Sequence, residues 1–406
     1  MMFLLYIDPG TGSLLFSVFI GLVTVSYFLF RTILIKVKTV FLGKRKSELQ
    51  NNSIVIYNEG SHYWPVYSLI LDEFENRNIN ILYLTSSAAD PVFNNNYNFV
   101  KSEFIGAGIK AYAFLNILEA DICLMTTPGL EVYQLKRSKL CKHYSHILHD
   151  TGDVTCYRLF GIDWFDSILL SGEYQKNEIM ELENIRNLYK KDLFVVGSTY
   201  LDYYKKKLKE LPKDNNHIFT VLISPSWGEG TLLSLFGEKL LDPFIGTDWN
   251  IIVRPHPQSR ISEPDLLKRL EEKYSSFTWD YNNENILSLS KADIMISDFS
   301  SIIFDFVFLF NKPVLYNNSF FNKDMYDAGD IDKDPWKFEV LNKFAVKITE
   351  SDLPNIKSII QNSVIDKSLS TERLNAKKIA WQNEGNGANA VVNSLLEIKE
   401  GLTKIA

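Results

Sequence analysis

Short runs of β-branched and other apolar residues alternate along most of this chain with segments of helical periodicity. The runs begin near residues 54, 79, 122, 145, 167 and 193, and again near 219, 250, 294 and 313. Apolar strands that alternate with helices are typical of parallel sheets buried on both faces. The lysine-rich segment 201–216 separates the two series and predicts a helix followed by a linker. We therefore predict an α/β protein with two Rossmann-like domains that face each other across a cleft.

Length, charge and cysteine content narrow the class of protein. The chain has 406 residues and a formal charge of −6, which suits two folded domains and argues against nucleic acid as a partner. We predict an N-terminal domain over residues 52–200 and a C-terminal domain with closing helices over 217–406. Cys123, Cys141 and Cys156 are odd in number and lack metal-ligand spacing, so we expect reduced thiols in a cytoplasmic domain.

The first 46 residues differ from the rest and predict a membrane anchor with a basic juxtamembrane segment. Leu14 to Phe30 is apolar apart from small residues, Thr24, Ser26 and Tyr27, and with its extension to Leu34 or Ile35 it is long enough to cross a bilayer. The basic residues follow this run, which places the domains on the cytoplasmic side of the membrane, whereas a cleaved signal peptide carries its positive charge first. The alternative is a helix that lies in the membrane interface, because residues 32–42 alternate apolar and basic positions helically.

Three loops of the second half follow predicted strands, so we expect them at one ligand-binding edge of one sheet. The first, residues 224–231, contains Ser226 and Gly228, where the backbone can approach a phosphate. The alternative is a loop without a binding role, because glycine and serine are common in any loop. The second is the Arg-Pro-His-Pro motif at 254–257. Its prolines hold an arginine suited to phosphate and a histidine that can stabilise developing charge; the alternative is a turn with a solvated histidine.

The third loop, residues 297–301, leads into an apolar helix. Ser300 and Ser301 stand where that helix begins, so their hydroxyls and free backbone amides can bind a phosphate. Asp298 is predicted either to bind a sugar or polyol hydroxyl or to cap the helix. Asp305, inside the helix, is either a satisfied buried carboxylate or a ligand contact.

A strand-end loop in the first half, residues 149–153, carries a histidine at its tip. If His149 faces the cleft, it can take a proton from an acceptor hydroxyl. The nearby His143 and His146 are predicted to be surface or packing residues. Zinc is not expected, because the three histidines are spaced around a strand and share no helical face.

The order, spacing and preceding strands of these motifs resemble the CDP-glycerol glycerophosphotransferase family, the teichoic-acid primases and polymerases of bacterial envelopes. The resemblance rests on the motifs at 254–257 and 296–306 and extends over about residues 52–395. It implies a GT-B fold and a CDP-polyol donor, usually CDP-glycerol. It also implies a hydroxyl acceptor on a lipid-linked glycan or polyol phosphate, release of CMP at the cytoplasmic membrane, and chemistry without a metal or cofactor.

By position, the resemblance implies the roles of His149, His256, Arg254, Ser300 and Ser301, and we predict the other candidates beside them. The acceptor side would contain His149 as the general base, with Asp150, Thr151, Asp153 and Glu59. The donor side would contain His256 as a catalytic residue, phosphate contacts from Arg254, Ser300, Ser301, Ser226 and Gly228, and a polyol or nucleotide contact from Asp298. Many members have His-Gly-Thr at the acceptor-side loop. Asp150 replaces that glycine here, and it could orient His149, change the acceptor that fits, or mean that the base role has moved.

Two other function classes stay open at this point. The first is a nucleotide-sugar-dependent GT-B glycosyltransferase or a UDP-sugar epimerase-like enzyme. Such a glycosyltransferase would release a whole nucleoside diphosphate rather than CMP. The second is a membrane-tethered binding or scaffolding protein on a decayed transferase fold. The polyol, the acceptor, and the choice between primase and polymerase are not fixed by the sequence.

Overall fold

The computed structural model describes residues 19–27, 29, 53–157, 159–211, 217–282, 284–318 and 321–405 of a chain that divides into two units, 1–52 and 53–406. In the first unit the described residues are helical and exposed. Most of the predicted anchor, Leu14 to Ile35, and the basic segment after it lie outside the described residues. Within the described ranges, no helix has both the length and the hydropathy needed to cross a bilayer.

Seven parallel strands form the first sheet of the second unit. They are β1 (Ile54–Asn58), β2 (Ile81–Thr85), β3 (Val100–Phe104), β4 (Ala120–Met125), β5 (Cys141–Ile147), β6 (Ser167–Leu170) and β7 (Asp192–Val195). Their order across the sheet is β3-β2-β1-β4-β5-β6-β7. Strands β1, β2 and β6 are buried along their whole length, as expected for a sheet covered on both faces. The strand order reverses between β1 and β4, and α/β sheets bind ligands at such a point.

A second parallel sheet of six strands follows. Its strands are β8 (Thr220–Ile223), β9 (Asn250–Val253), β10 (Thr278–Trp279), β11 (Ile294–Ser297), β12 (Val314–Tyr316) and β13 (Val346–Lys347). They are ordered β10-β9-β8-β11-β12-β13. The prediction of an α/β protein with two parallel sheets is confirmed. Strands β3, β10 and β13 were not predicted, because they are edge strands with exposed positions and lack a fully apolar run.

Helices cover both sheets. They are α1 (Trp64–Asn76), α2 (Ile109–Leu115), α3 (Tyr174–Ile185), α4 (Thr199–Leu208), α5 (Leu232–Leu241), α6 (Ser259–Ser262), α7 (Pro264–Lys273), α8 (Ile286–Lys291), α9 (Ile302–Phe310), α10 (Trp336–Phe344), α11 (Ile356–Ile365), α12 (Ser370–Ala380) and α13 (Gly387–Ile405). Pro65 stands in the first turn of helix α1, where its missing N–H costs nothing.

The last helix returns to the first sheet. Val391, Val392 and Leu395 of α13 are fully buried in the same apolar cluster as Ile56 of β1 and Tyr67 of α1. The predicted domain boundaries gave this helix to the C-terminal domain. Its packing instead follows its apolar face, which is covered by the first half of the chain.

Candidate functional site

Three adjacent strands of the first sheet bring distant residues together at their carboxyl ends. Strands β1, β4 and β5 are neighbours, and the loops after them contain Glu59, Thr126 and His149. Glu59 is half-buried, and its carboxylate accepts a 3.1 Å hydrogen bond from the hydroxyl of Tyr112. These residues therefore lie beside the point where the strand order reverses.

His149 is held by aromatic and hydroxyl side chains that the sequence analysis did not single out. The hydroxyl oxygens of Tyr157 and Thr126 lie 3.1 Å and 3.4 Å from its Nδ1. The rings of Tyr157 and His149 are 8° from parallel, with centroids 5.6 Å apart, and the ring of Tyr63 meets His149 edge-on at 5.3 Å. Burial lowers the pKa of the neighbouring His62, and His149 adds to this effect. Of the two ring nitrogens of His149, Nδ1 is occupied, whereas Nε2 makes no hydrogen bond to a described residue.

The loop at 149–153 folds back on itself and meets the second half of the chain. Asp150 accepts a 2.9 Å hydrogen bond from the backbone N–H of Gly152. Thr151 is buried, and its hydroxyl has no partner among the described residues. A Cβ atom on Gly152 would lie 3.2 Å from Oγ of Ser301. The loop that carries His149 is therefore in contact with the start of α9.

Asp153, predicted on the acceptor side, is enclosed between the two halves. It is 3% exposed, and its Oδ2 accepts a 2.9 Å hydrogen bond from the backbone N–H of Lys337 in α10. Burial raises the pKa of the adjacent Glu178 well above its usual range, and the negative charge of Asp153 raises it further. Asp153 therefore braces the loop through Oδ2, while its Oδ1 has no hydrogen-bond partner among the described residues.

The loops after β9, β8 and β11 lie side by side on the second sheet, as predicted. Asp298 ties two of these loops together. It is 1% exposed and accepts a 2.9 Å hydrogen bond from the N–H of Ser226 and a 3.3 Å one from the first N–H of α5. Asp298 thus caps the start of α5, whereas the cap predicted for it was on α9, which has no side-chain cap.

Gly228 lies in the same loop with a φ of +93°, in the region that favours glycine. A Cβ there would meet no atom within 4 Å, and its N–H donates a 3.1 Å hydrogen bond to the carboxylate of Glu263. The N–H groups of Ser226 and Gly228 are thus both engaged by carboxylates. This loop offers fewer free amides to a phosphate than the sequence predicted.

Arg254 is buried and paired. Its Nη1 lies 2.5 Å from Oδ2 of Asp280, and its Nη2 donates a 2.7 Å hydrogen bond to the carbonyl of Asn282. Burial opposes ionisation of Asp280, but hydrogen bonds from Ser288 and Asn282 and the charge of Arg254 keep its pKa below the ordinary value. These two bonds engage two of the five guanidinium N–H donors of Arg254. Arg254 thus fixes the strand end that carries His256.

His256 has a defined tautomer when it is neutral. Its Nδ1 accepts a 3.1 Å hydrogen bond from the backbone N–H of Gln258, so the ring proton lies on Nε2. Burial lowers the pKa of His256, which favours the neutral form. The ring of Trp227 lies 6.2 Å away, centroid to centroid. His256 can therefore donate one N–H to an anion but is poorly suited to accept a proton.

Ser300 and Ser301 open α9 with their hydroxyls uncommitted. Both residues are half-buried, and no side-chain hydrogen bond caps this helix. Helix starts offer free N–H groups and a partial positive charge. Four residues after Ser301, Asp305 is buried and accepts a 3.1 Å hydrogen bond from the hydroxyl of Tyr200. Burial raises the pKa of Asp305 to about 8, so Asp305 is a satisfied buried acid, one of its two predicted roles.

An ion cluster joins the two halves beside this site. The guanidinium of Arg186 lies 2.7 Å from Asp163, 2.7 Å from Asp327 and 2.6 Å from Asp330. The backbone N–H of Asp327 also donates a 3.0 Å hydrogen bond to the carbonyl of Tyr157. Asp327, in the second half of the chain, therefore helps to fix the position of Tyr157, whose hydroxyl contacts His149.

Similarity to known proteins agrees with these features. A family model described as CDP-Glycerol:Poly(glycerophosphate) glycerophosphotransferase matches residues 165–397, more than half of the chain. The chain belongs to this family. It is a transferase of the CDP-glycerol glycerophosphotransferase type, and the resemblance stated from the sequence is confirmed. No curated protein matches the chain.

Solved structures similar to this glycerophosphotransferase share its GT-B-like fold. The wall teichoic acid polymerase TagF is 16% identical, with a TM-score of 0.52, over 92% of this chain and 98% of that one. A TagF variant soaked with CDPG is 15% identical, with a TM-score of 0.50 and the same coverage. The UDP-GlcNAc 2-epimerase of Neisseria meningitidis is 14% identical, with a TM-score of 0.55, over 85% of this chain and 99% of that one. At these identities the likeness shows the fold alone.

The described part of this glycerophosphotransferase contains no group of three or more His, Cys, Asp or Glu side chains arranged to hold a metal ion. His143 and His146, predicted to be surface or packing residues, are both buried in β5.

Proposed function

We propose that this glycerophosphotransferase transfers glycerol phosphate from CDP-glycerol to a hydroxyl of a lipid-linked glycan or polyol-phosphate acceptor, with release of CMP. The observation that carries the proposal is the close approach of Gly152 to Ser301, since a Cβ atom added to Gly152 would lie 3.2 Å from the Ser301 Oγ. This approach brings a histidine loop of one sheet to an uncommitted helix start of the other. The family match limits the chemistry to this class of transfer. The TagF structure soaked with CDPG supports CDP-glycerol as the donor.

In the proposed reaction, Nε2 of His149 takes the proton of the acceptor hydroxyl. The acceptor oxygen attacks the β-phosphorus of the donor. A new oxygen–phosphorus bond forms as the bond from that phosphorus to the oxygen of CMP breaks. The proposal assigns the acceptor to the domain at 52–200 and the donor to the domain at 217–406.

The donor side of the proposal relies on neutral donors and a helix start. The Nε2–H of His256 and the amides and hydroxyls of Ser300 and Ser301 would spread the charge that develops on the phosphate oxygens. Arg254 would act indirectly, by fixing the position of the backbone that carries His256. Support for this division comes from the Arg254–Asp280 pair, which fixes the guanidinium beside β10, and from the Nδ1 bond of His256, which puts the ring proton on Nε2.

We also propose that Leu14 to Ile35 attaches the enzyme to the cytoplasmic membrane, where lipid-linked acceptors are found. Its apolar length supports a spanning helix, and its basic, amphipathic continuation supports an interfacial one. Alkaline carbonate extraction separates the two, because a spanning helix stays with the membrane and an interfacial one is released. Release of the full chain from vesicles without a carbonate wash would contradict attachment.

The proposed function is tested by nucleotide release from purified, detergent-solubilised enzyme. The enzyme is given CDP-glycerol and a lipid-linked or soluble acceptor mimic, with EDTA present and with His256→Ala as the control. We expect CMP from the wild type, little from the variant, and no effect of EDTA. Release of a nucleoside diphosphate from nucleotide sugars instead would favour the glycosyltransferase alternative. If no nucleotide is released and CDP-glycerol does not bind in calorimetry, the proposal is wrong.

A further inference from the structure

A histidine that acts as a base through Nε2 needs its ring proton on Nδ1. In many enzymes a carboxylate accepts a hydrogen bond from Nδ1–H and so fixes this tautomer. The nearest candidate by sequence is Asp150. Its Oδ1 instead accepts a hydrogen bond from the N–H of Gly152, in its own loop. Within the described part of the chain, the side-chain atoms in hydrogen-bonding range of Nδ1 of His149 are the hydroxyls of Tyr157 and Thr126.

Tyr157 is the better placed of the two hydroxyls. Its oxygen is 3.1 Å from Nδ1, against 3.4 Å for Thr126, and its ring is parallel to the imidazole. Burial raises the pKa of Tyr157 well above the usual range, so the phenol keeps its proton. A neutral phenol can accept a hydrogen bond on its oxygen and donate its own proton to another acceptor.

His146 supplies that acceptor. It is fully buried in β5, and its Nε2 lies 3.5 Å from the hydroxyl oxygen of Tyr157. Burial lowers the pKa of His146 to about 3, so the ring is neutral at physiological pH. With the ring proton on Nδ1, which is buried and has no partner among the described residues, Nε2 is free to accept. The groups around His149 are therefore uncharged on this side, and the charged Asp150 is engaged by its own loop.

We propose that Tyr157 is the positioning residue that fixes the tautomer of His149. Nδ1–H of His149 donates to the hydroxyl oxygen of Tyr157, and the Tyr157 hydroxyl donates to Nε2 of His146. This direction of the hydrogen bonds leaves Nε2 of His149 with a free lone pair. The inference rests on the proposed function, because it takes His149 to be the base.

The placement of Tyr157 depends on the second half of the chain. The N–H of Asp327 donates a 3.0 Å hydrogen bond to the Tyr157 carbonyl, and the Asp327 carboxylate accepts a 2.7 Å hydrogen bond from the N–H of Phe160. Arg186 holds the same carboxylate at 2.7 Å. The hydroxyl that orients His149 is therefore set in place by the contact between the halves.

The substitution Tyr157→Phe tests the inference, because it keeps the ring and removes the hydroxyl. We expect kcat to fall at least about tenfold, part of the loss that follows removal of a general base. The KM for CDP-glycerol should stay unchanged, because Tyr157 makes no proposed donor contact. The acidic limb of the profile of kcat/KM against pH should move to lower pH, since the imidazolium loses an acceptor. Tyr144→Phe is the matched control: Tyr144 is buried in β5, accepts a hydrogen bond from Ser138 and should leave the kinetics unchanged.

Two further measurements separate the possible failures. If His149→Ala keeps its turnover, His149 is not the base, and the positioning role of Tyr157 falls with that assignment, whereas transfer from CDP-glycerol stands. If His149→Ala is inactive while Tyr157→Phe has normal kcat and a normal pH profile, only the positioning role falls. The ¹⁵N spectrum of the histidine side chains in the wild type needs no turnover, and His149→Ala assigns the signal. We expect protonated Nδ1 in neutral His149, and the opposite tautomer would overturn the inference.

Discussion

Nη1 of Arg254 lies 2.5 Å from Oδ2 of Asp280, and both side chains are almost completely withdrawn from solvent. The two residues follow the neighbouring strands β9 and β10, so the pair closes the sheet edge beside His256. Removing one partner of a buried pair leaves an uncompensated charge, which is far costlier than losing an exposed pair. The arginine of the Arg-Pro-His-Pro motif therefore has a structural role, which is to neutralise the buried carboxylate of Asp280.

We expect Arg254→Met to lower the free energy of unfolding by about 3–5 kcal/mol, because Asp280 is left charged and buried. The double variant Arg254→Met/Asp280→Leu should lose less than the two single variants together. Urea unfolding of each variant measures these differences. Lys239→Met is the control, since Lys239 pairs with Glu350 on the exposed surface and should change stability by about 1 kcal/mol or less. Additive losses in the double variant would contradict a coupled buried pair.

The tautomer of His256 leads to a second prediction. If its role is to donate Nε2–H, then His256→Gln should retain more activity than His256→Asn, because the glutamine amide reaches the position of Nε2 and the asparagine amide that of Nδ1. We expect His256→Ala and His256→Asn to lose about 100-fold or more in kcat, the scale of one oxyanion donor. Steady-state CMP release measures the series. Equal activity of the glutamine and asparagine variants would argue against an Nε2–H donor.

The stability of the enzyme should depend on pH through Asp305. Burial raises its folded-state pKa to about 8, whereas an unfolded aspartate titrates near 4. Between these values the folded state holds a proton that the unfolded state has lost, so the stabilisation is complete below about pH 4 and falls as pH rises toward 8. The slope for one proton is about 1.4 kcal/mol per pH unit.

The variant Asp305→Asn should remove this component, because an amide does not titrate. We expect its free energy of unfolding, relative to the wild type, to improve steadily from pH 5 to pH 8 in urea titrations. The exposed Asp332→Asn serves as the control and should leave the pH dependence unchanged. Parallel curves for the wild type and Asp305→Asn would mean that Asp305 is already ionised in the folded protein.

The edge loops were predictable because each follows a strand with a local apolar signal, such as Ile294–Ser297. The partners of the loop residues were not. Arg254 meets Asp280, which stands 26 residues later after a two-residue strand with no recognisable pattern. Tyr157 reaches His149 because a short helical turn folds the chain back, and Asp327 reaches Tyr157 from the other half. Periodicity gives the placement of a loop, whereas the partner of a charged side chain depends on packing between segments far apart in sequence.

The ion cluster around Arg186 gives the last prediction. The side chain of Arg186 is 8% exposed. Its guanidinium forms ion pairs with Asp163 and Asp327, whose side chains are 4% and 0% exposed. Arg186→Met should leave two buried carboxylates unpaired and destabilise the contact between the halves by about 3–5 kcal/mol. Hydrogen–deuterium exchange should then rise in segments 157–163 and 321–331 while the strand amides of β1 and β8 stay protected. Because the first of these segments contains Tyr157, kcat should fall as the exchange rises.

The control is Arg77→Met, which breaks a partly exposed pair with Glu73 of α1 and should change neither the exchange nor kcat. Faster exchange across the whole chain would indicate general unfolding rather than a local role for Arg186.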